Sequence, residues 1–223
     1  MPLYTTDALI LRTYTLGESD RIVVFLTRDR GKKRGVAKNA RQSRRRFGGA
    51  LEPLTCGRVG YFERERRDLV SLNYVELTRS PFAAIDGEAL GYVGYFAELI
   101  DEWAQEADPN ETLFRLGASM VEAMAADVPI EPLARYFEYW LLRLQGVYEP
   151  GTHLSHGARA FLASARVCSP FALAQVTASR DVLQELEAAH RTLIAMHLEK
   201  DLKSARVLRE MRGSGPEGPH YTR

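Results

Sequence analysis

Arg28-Asp29-Arg30-Gly31-Lys32-Lys33-Arg34-Gly35-Val36-Ala37-Lys38-Asn39-Ala40-Arg41-Gln42-Ser43-Arg44-Arg45-Arg46 settles the class of the first third of this chain. It holds ten cations and one acid, Asp29. The rest of the chain holds twenty basic and twenty-eight acidic residues, so +9 here stands against −8 elsewhere. A formal net charge of +1 hides that asymmetry. Charge separated in this way concerns partners, and polyanions are the natural ones. The ordinary reading of such a run is a solvated loop. Gly31, Gly35, Val36 and Ala37 argue against it, because they interrupt the cations as a strand and its turns would. Arg30-Gly31 predicts a turn and Lys32 to Lys38 a strand. Its cations are too dense for a buried face, so they are expected to point at solvent or at a ligand. A loop from Asn39 to Gly49 follows, ending in Phe47-Gly48-Gly49. There an aromatic ring can stack on a base, and glycines let backbone approach a phosphate.

Working outward, the flanks also read as β. Ala8 to Leu11 and Ile22 to Leu26 are short apolar runs, separated by the turn residues Leu16-Gly17-Glu18-Ser19-Asp20. Leu51 to Glu63 predicts a fourth strand, with Pro53 near its start. Leu69 to Leu77 predicts a fifth, in which Val70, Leu72 and Tyr74 alternate with polar residues before Val75 and Leu77 resume one position out of phase. A bulge is the usual cause of such a slip. Five short strands in about 75 residues suit a small closed barrel of the OB type.

Ser80-Pro81 changes the character of the chain, and residues 82–212 read mostly as helix. Tyr92, Phe96, Leu99, Ile100 and Trp103 share one face. Asp108-Pro109-Asn110 is a break before a helix over Thr112 to Met124. Pro129 and Pro132 introduce another, with Leu133, Phe137, Trp140, Leu141 and Leu144 on its apolar side. Further helices are expected over Gly157–Val167, over Asp181–His197 behind an N-cap at Ser179, and over Lys203–Met211. The predicted class is α+β: an OB-fold barrel over 1–80, a helical domain over 81–212 and a mobile tail over 213–223.

Composition is ordinary for a soluble globular protein, with 45% apolar and 26% charged residues. Met1 to Asp7 has no signal-peptide pattern, and no apolar run approaches bilayer length. Two separated cysteines, Cys56 and Cys168, fit a reducing cytoplasm better than a cystine framework. There is no phosphate loop, dinucleotide fingerprint or nucleophile elbow, so no enzyme is expected. His153, His156 and Cys168 make only three ligands, short of a zinc set. His190 and His197 read as core or rim histidines, Trp103 and Trp140 as core, and Cys56 as a small buried hydrophobe.

An ordered series then emerges. Gly17-Glu18-Ser19-Asp20, Phe25-Leu26-Thr27, Gly31, Val36-Ala37-Lys38-Asn39-Ala40-Arg41 and Gly49-Ala50-Leu51-Glu52-Pro53-Leu54 resemble the N-terminal region of the bacterial recombination mediator family RecO. Glu98-Leu99, Arg135-Tyr136-Phe137-Glu138 through Leu144-Gln145-Gly146-Val147-Tyr148, and Leu202-Lys203-Ser204 before Leu208-Arg209 resemble its helical region. Two departures stand out. Asn39 replaces the family's glycine, though Asn also tolerates positive φ. Val147 to Phe161 contains none of the four cysteines that form a zinc module in many members, so no metal and no cofactor are expected.

The resemblance implies a DNA-repair mediator that binds single- and double-stranded DNA and anneals complementary strands. It also implies that the protein works with RecR and with single-strand binding protein to place recombinase on coated strands, in a cytoplasmic, nucleoid-associated setting. On that basis Arg30, Lys32, Lys33, Arg34, Lys38, Arg41, Arg44, Arg45 and Arg46 are candidate phosphate contacts. Phe47 is the candidate stacking residue, with Tyr61 and Phe62 weaker ones. Arg135, Arg143, Lys203, Arg206 and Arg209 are candidates to receive the acidic tail of single-strand binding protein. Two other classes remain open from the residues themselves: an RNA-binding OB-fold protein, and a metal-dependent nuclease using helical carboxylates.

Overall fold

A computed structural model describes residues 2–63, 68–83, 87–149 and 154–213. Among the described residues there are five strands: β1 Leu3–Leu16, β2 Asp20–Thr27, β3 Gly31–Ala37, β4 Cys56–Phe62 and β5 Val70–Arg79. They close in the order β1-β2-β3-β5-β4, with β4 returning to pair with β1. All pairings are antiparallel except β3 with β5. This is the five-stranded Greek-key barrel of the OB-fold.

Alternation explains the closure. Val23 and Phe25 of β2 point inward with Ile10, Val59, Tyr61, Leu72 and Val75. Val24 and Leu26 point outward with Leu9 and Leu11 of β1. Those outward residues are buried too, because helices cover them, and a strand buried on both faces reads as an unbroken apolar run. The phase slip in β5 is a bulge. Gly60 faces Tyr74 while Tyr61 faces Leu72, so Asn73 is the extra residue. A second irregularity in β1, between Ile10 and Arg12, turns Leu11 and Arg12 toward the same outer side.

The expected loop over Asn39–Gly49 contains a one-turn helix, α1 Arg44–Phe47. The expected turn at Asn39 survives the loss of glycine, with φ at 54°. The fourth strand starts later than expected, at Cys56, because residues 50–54 turn back across the barrel mouth. Leu54 N–H donates to the Ile10 carbonyl there at 2.8 Å.

The helical part comprises α2 Gly87–Trp103, α3 Glu111–Ala125, α4 Ile130–Leu144, α5 His156–Val167, α6 Arg180–Leu198 and α7 Lys203–Gly213. Asn110, Ser155 and Ser179 cap α3, α5 and α6 by accepting from Leu113, Ala158 and Val182 N–H groups. The apolar faces of α2, α3 and α4 meet in one core, with Tyr92, Phe96, Ile100, Leu113, Met120, Leu133 and Phe137 fully buried. Leu144 departs from its expected place, being over a third exposed at the end of α4. The expected mobile tail lies outside the described residues beyond 213, as does His153.

The barrel docks on the helices through polar contacts as well as apolar ones. Lys32 N–H donates to the Gln105 carbonyl at 3.1 Å, and Ala107 N–H donates to the Lys32 carbonyl at 3.1 Å. Gly31, at φ +68°, sits where a Cβ would lie 2.4 Å from the Asp108 backbone. No other residue fits that turn against that neighbour.

Candidate nucleic-acid interface

The end of the barrel that carries the cations follows from register. Ala37 at the end of β3 faces Arg21 at the start of β2 and Leu72 near the start of β5. Phe62 at the end of β4 faces Ser71. The β1–β2 turn and the 38–49 segment therefore crowd one mouth of the barrel. Phe47 closes that mouth from inside. It is 2% exposed and packs with the barrel interior. This corrects its expected role, since a ring in the barrel core cannot stack on a base. The apolar residue that follows the three arginines is the anchor of α1, and Arg44 and Arg45 are its solvent face. Tyr61 is fully buried as well, and Phe62 is half-buried.

The cations divide into two groups. Lys32 does not face solvent: its Nζ donates to the Asp101 carbonyl at 2.6 Å and pairs with Asp101 Oδ1 at 3.0 Å. Lys33 pairs with Glu63 at 2.9 Å and is 14% exposed at its side chain. Arg28 holds Glu111 through two nitrogens at 3.0 and 2.7 Å. Arg30 lies 4.1 Å from the Tyr4 ring centroid, with Asp29 at 3.8 Å. Arg46 is spent on the loop itself, donating to the Lys38 carbonyl at 2.6 Å and to Ser43 Oγ at 2.9 Å. Each of these was an expected phosphate contact or its neighbour. Charge density drew carboxylates to β3 and carbonyls to the loop, and local pairing took them up.

Arg34, Lys38, Arg41, Arg44 and Arg45 are exposed, and none has a carboxylate partner among the described residues. Arg41 gives one N–H to the Glu18 carbonyl at 3.1 Å, which fixes the stem and leaves the charge outward. Asp20 stiffens the same corner by accepting the Asn39 N–H at 2.8 Å. The result is a short cationic cap held on a rigid barrel mouth.

In the helical part, Arg135 is 3% exposed and so cannot meet a partner's tail. It pairs with Glu138 at 2.8 Å and with Glu187 at 3.0 Å. Burial is the largest single influence and pulls its pKa down, but Glu138, Tyr95, Glu187 and Tyr92 together outweigh it and raise the pKa above the usual guanidinium value. Glu138 also accepts from Tyr95 and faces His190 Nδ1 at 3.0 Å, so His190 is a core histidine. His197 is exposed and stacks on Trp103 with centroids 5.6 Å apart. Arg143 is exposed and lies over Tyr139 and Trp140. Lys203 and Arg206 are exposed on α7, and Arg206 has Glu210 at 3.9 Å. Arg209 alone of the expected set lines a cleft of about 420 Å³ between α2, α6 and α7. Its apolar surfaces are Tyr95, Ile194, Met196 and Leu202, its other cations are Arg191 and Lys200, the latter paired with Glu102, and Asp201 is the acid in its lining. The sequence reading missed Arg191 and Lys200, although they flank the same apolar stripe of α6.

Among the described residues no three His, Cys, Asp or Glu groups gather as a metal set. Burial pushes the Cys56 thiol up to about 12, so it holds almost no thiolate at neutral pH. No described helix is long and apolar enough to cross a membrane.

Comparison with known proteins bears on this geometry. Residues 1–81 match the family described as recombination protein O N terminal, and residues 85–153 match recombination protein O C terminal. A protein of Koribacter versatilis (strain Ellin345), called DNA repair protein RecO, is 42% identical over 65% of this chain and 59% of its own length. The same-named protein of Anaeromyxobacter sp. (strain K) is 40% identical over 62% of this chain and 55% of its own length. The chain thus spans less than two thirds of those two relatives. The same-named protein of Pelotomaculum thermopropionicum is 30% identical over 98% of both chains.

Proposed function

Because the chain belongs to the RecO family, we propose that it acts in DNA repair and recombination as a DNA-binding mediator without bond-making chemistry. In this reading it binds single- and double-stranded DNA, anneals complementary strands and, with RecR, helps load recombinase onto strands coated by single-strand binding protein. One observation carries the reading: five exposed cations without carboxylate partners among the described residues, Lys38, Arg41, Arg44 and Arg45 at one barrel mouth and Arg34 on the outer face of β3 near it. Annealing requires two polyanions to be held close with their repulsion screened and their bases free to pair. A cationic cap that grips phosphate alone does the first and leaves the second open.

The test is the salt dependence of binding. Five phosphate contacts on a single strand give a slope of log K against log salt of about −0.7 × 5, near −3.5. Replacing Lys38, Arg41, Arg44 and Arg45 with alanine leaves one contact and a slope near −0.7. Anisotropy of a labelled oligonucleotide reads both. A slope near zero in the native protein, or an unchanged slope in the variant, overturns the proposal. Competition between single-stranded DNA and RNA separates this reading from an RNA-binding OB-fold.

The cleft between α2, α6 and α7 is the proposed receptor for the single-strand binding protein tail. Bacterial tails of this kind are acidic and end in apolar residues, which complements an apolar floor rimmed by Arg191, Lys200 and Arg209. Titration with a tail peptide is expected to show binding that Arg209→Glu weakens at least tenfold. Equal binding by native protein and variant removes the cleft from the account.

A further inference from the structure

With Phe47 inside the barrel, the cationic cap has no ring of its own for a base. Among the described barrel residues, Tyr14 is the one aromatic side chain left exposed, at 44%. Strand alternation sends it outward. Thr13 before it turns inward and donates to the Leu51 carbonyl at 2.7 Å. Register places Tyr14 in line with Ile22 and Val36, both half-buried. The next line across the sheet is Arg12, Val24 and Arg34. The Arg12 guanidinium lies 5.9 Å from the Tyr14 ring centroid. Arg34 is exposed without a carboxylate partner among the described residues. The acids nearby are engaged: Asp20 with Asn39, and Asp101 with Lys32 and Arg12.

We propose that the strip of the outer face of β1–β3 beyond the helices, at the Tyr14, Ile22 and Val36 end, is a stacking platform for an unpaired base, with Tyr14 as the ring and Arg34 and Lys38 as the phosphate contacts on either side. This rests on the reading of the barrel as a DNA-binding module. The occupant is a single strand, by charge complementarity with Arg34 and Lys38 and because duplex bases have no free face to offer. Stacking engages one π-face of the base and leaves its Watson–Crick edge exposed, so a strand held here is still able to find its complement. Every base has such a face, so no sequence preference is expected.

The experiment compares three ligands by anisotropy: a thymidine oligomer, an abasic chain of the same phosphate number, and a duplex. Tyr14→Ala is expected to weaken the thymidine oligomer about 5- to 150-fold, the range one base–aromatic stack supplies. Abasic-chain and duplex affinity should hold, and so should the salt slope. Tyr14→Trp and Tyr14→Phe are expected to restore oligomer binding. Tyr14 is exposed, so the variants are expected to fold, which thermal melts check. If Tyr14→Ala binds the oligomer as the native protein does while the four-alanine loop variant fails, the platform is wrong and the proposed function stands. If Tyr14→Ala loses the abasic chain equally, stacking is again excluded. If the loop variant also binds normally, the DNA-binding reading itself fails.

Discussion

Phe47 is buried and Tyr14 exposed, the reverse of what their local sequence suggests. Phe47 follows three arginines and precedes two glycines, an address that looks like a ligand-facing loop. Tyr14 sits among threonines in a strand that gives no hint of a surface. Yet Phe47 is the side chain that closes the barrel, together with Ala50 and Leu51. Removing a buried phenylalanine costs about 3–5 kcal/mol through lost transfer energy and the cavity left behind. Phe47→Ala is therefore expected to lose about that much in urea denaturation. A loss under 1 kcal/mol combined with weaker DNA binding would return Phe47 to the ligand side. Arg135 teaches the same lesson in the helices. A cation on a helix looks like surface until its partners are seen, Glu138 buried with it and Glu187 half-buried.

At the scale of elements, α7 is held by buried Leu208 and by charge. Arg212 reaches Glu187 on α6 at 2.9 Å and Glu131 on α4 at 2.9 Å, and it also donates to Tyr92 on α2. Glu187 feels opposing influences. Burial raises its pKa, while Arg135 and Arg212 lower it and prevail, leaving it below its ordinary 4.5. A carboxylate whose folded pKa is depressed adds stability that is complete above the unfolded value and is lost as pH falls through the folded one. The contribution is thus constant above about pH 5.5 and declines below 4.5. Thermal melts between pH 7 and pH 3 are expected to show that fall. Glu187→Gln should lower the melting temperature at pH 7 and flatten the acid limb, and an unchanged limb would contradict the assignment. The β5 bulge belongs to this scale too. One extra residue, Asn73, changes which side chains face the core and was legible as a break in alternation.

Over the whole molecule, barrel and helices share a core. Leu9, Leu11, Val24 and Leu26 lie among helical residues. Asp101, 2% exposed on α2, pairs with Lys32 and faces Arg12 without a well-aligned hydrogen bond on Oδ2. That contact explains why β3 presents fewer free cations than its composition promises. The strands, the helices and the cap at Ser179 were legible from sequence because periodicity and capping are local: they depend on neighbours one to four places away. The asymmetry of charge was legible for the same reason. Which cations remain free was decided only in the fold, since Lys32 and Asp101 are 69 residues apart in sequence and 3.0 Å apart in space. The same holds for the burial of Phe47, the exposure of Tyr14 and the cleft of α2, α6 and α7. Each depends on which distant surface arrives to cover a side chain, and no local pattern encodes that arrival.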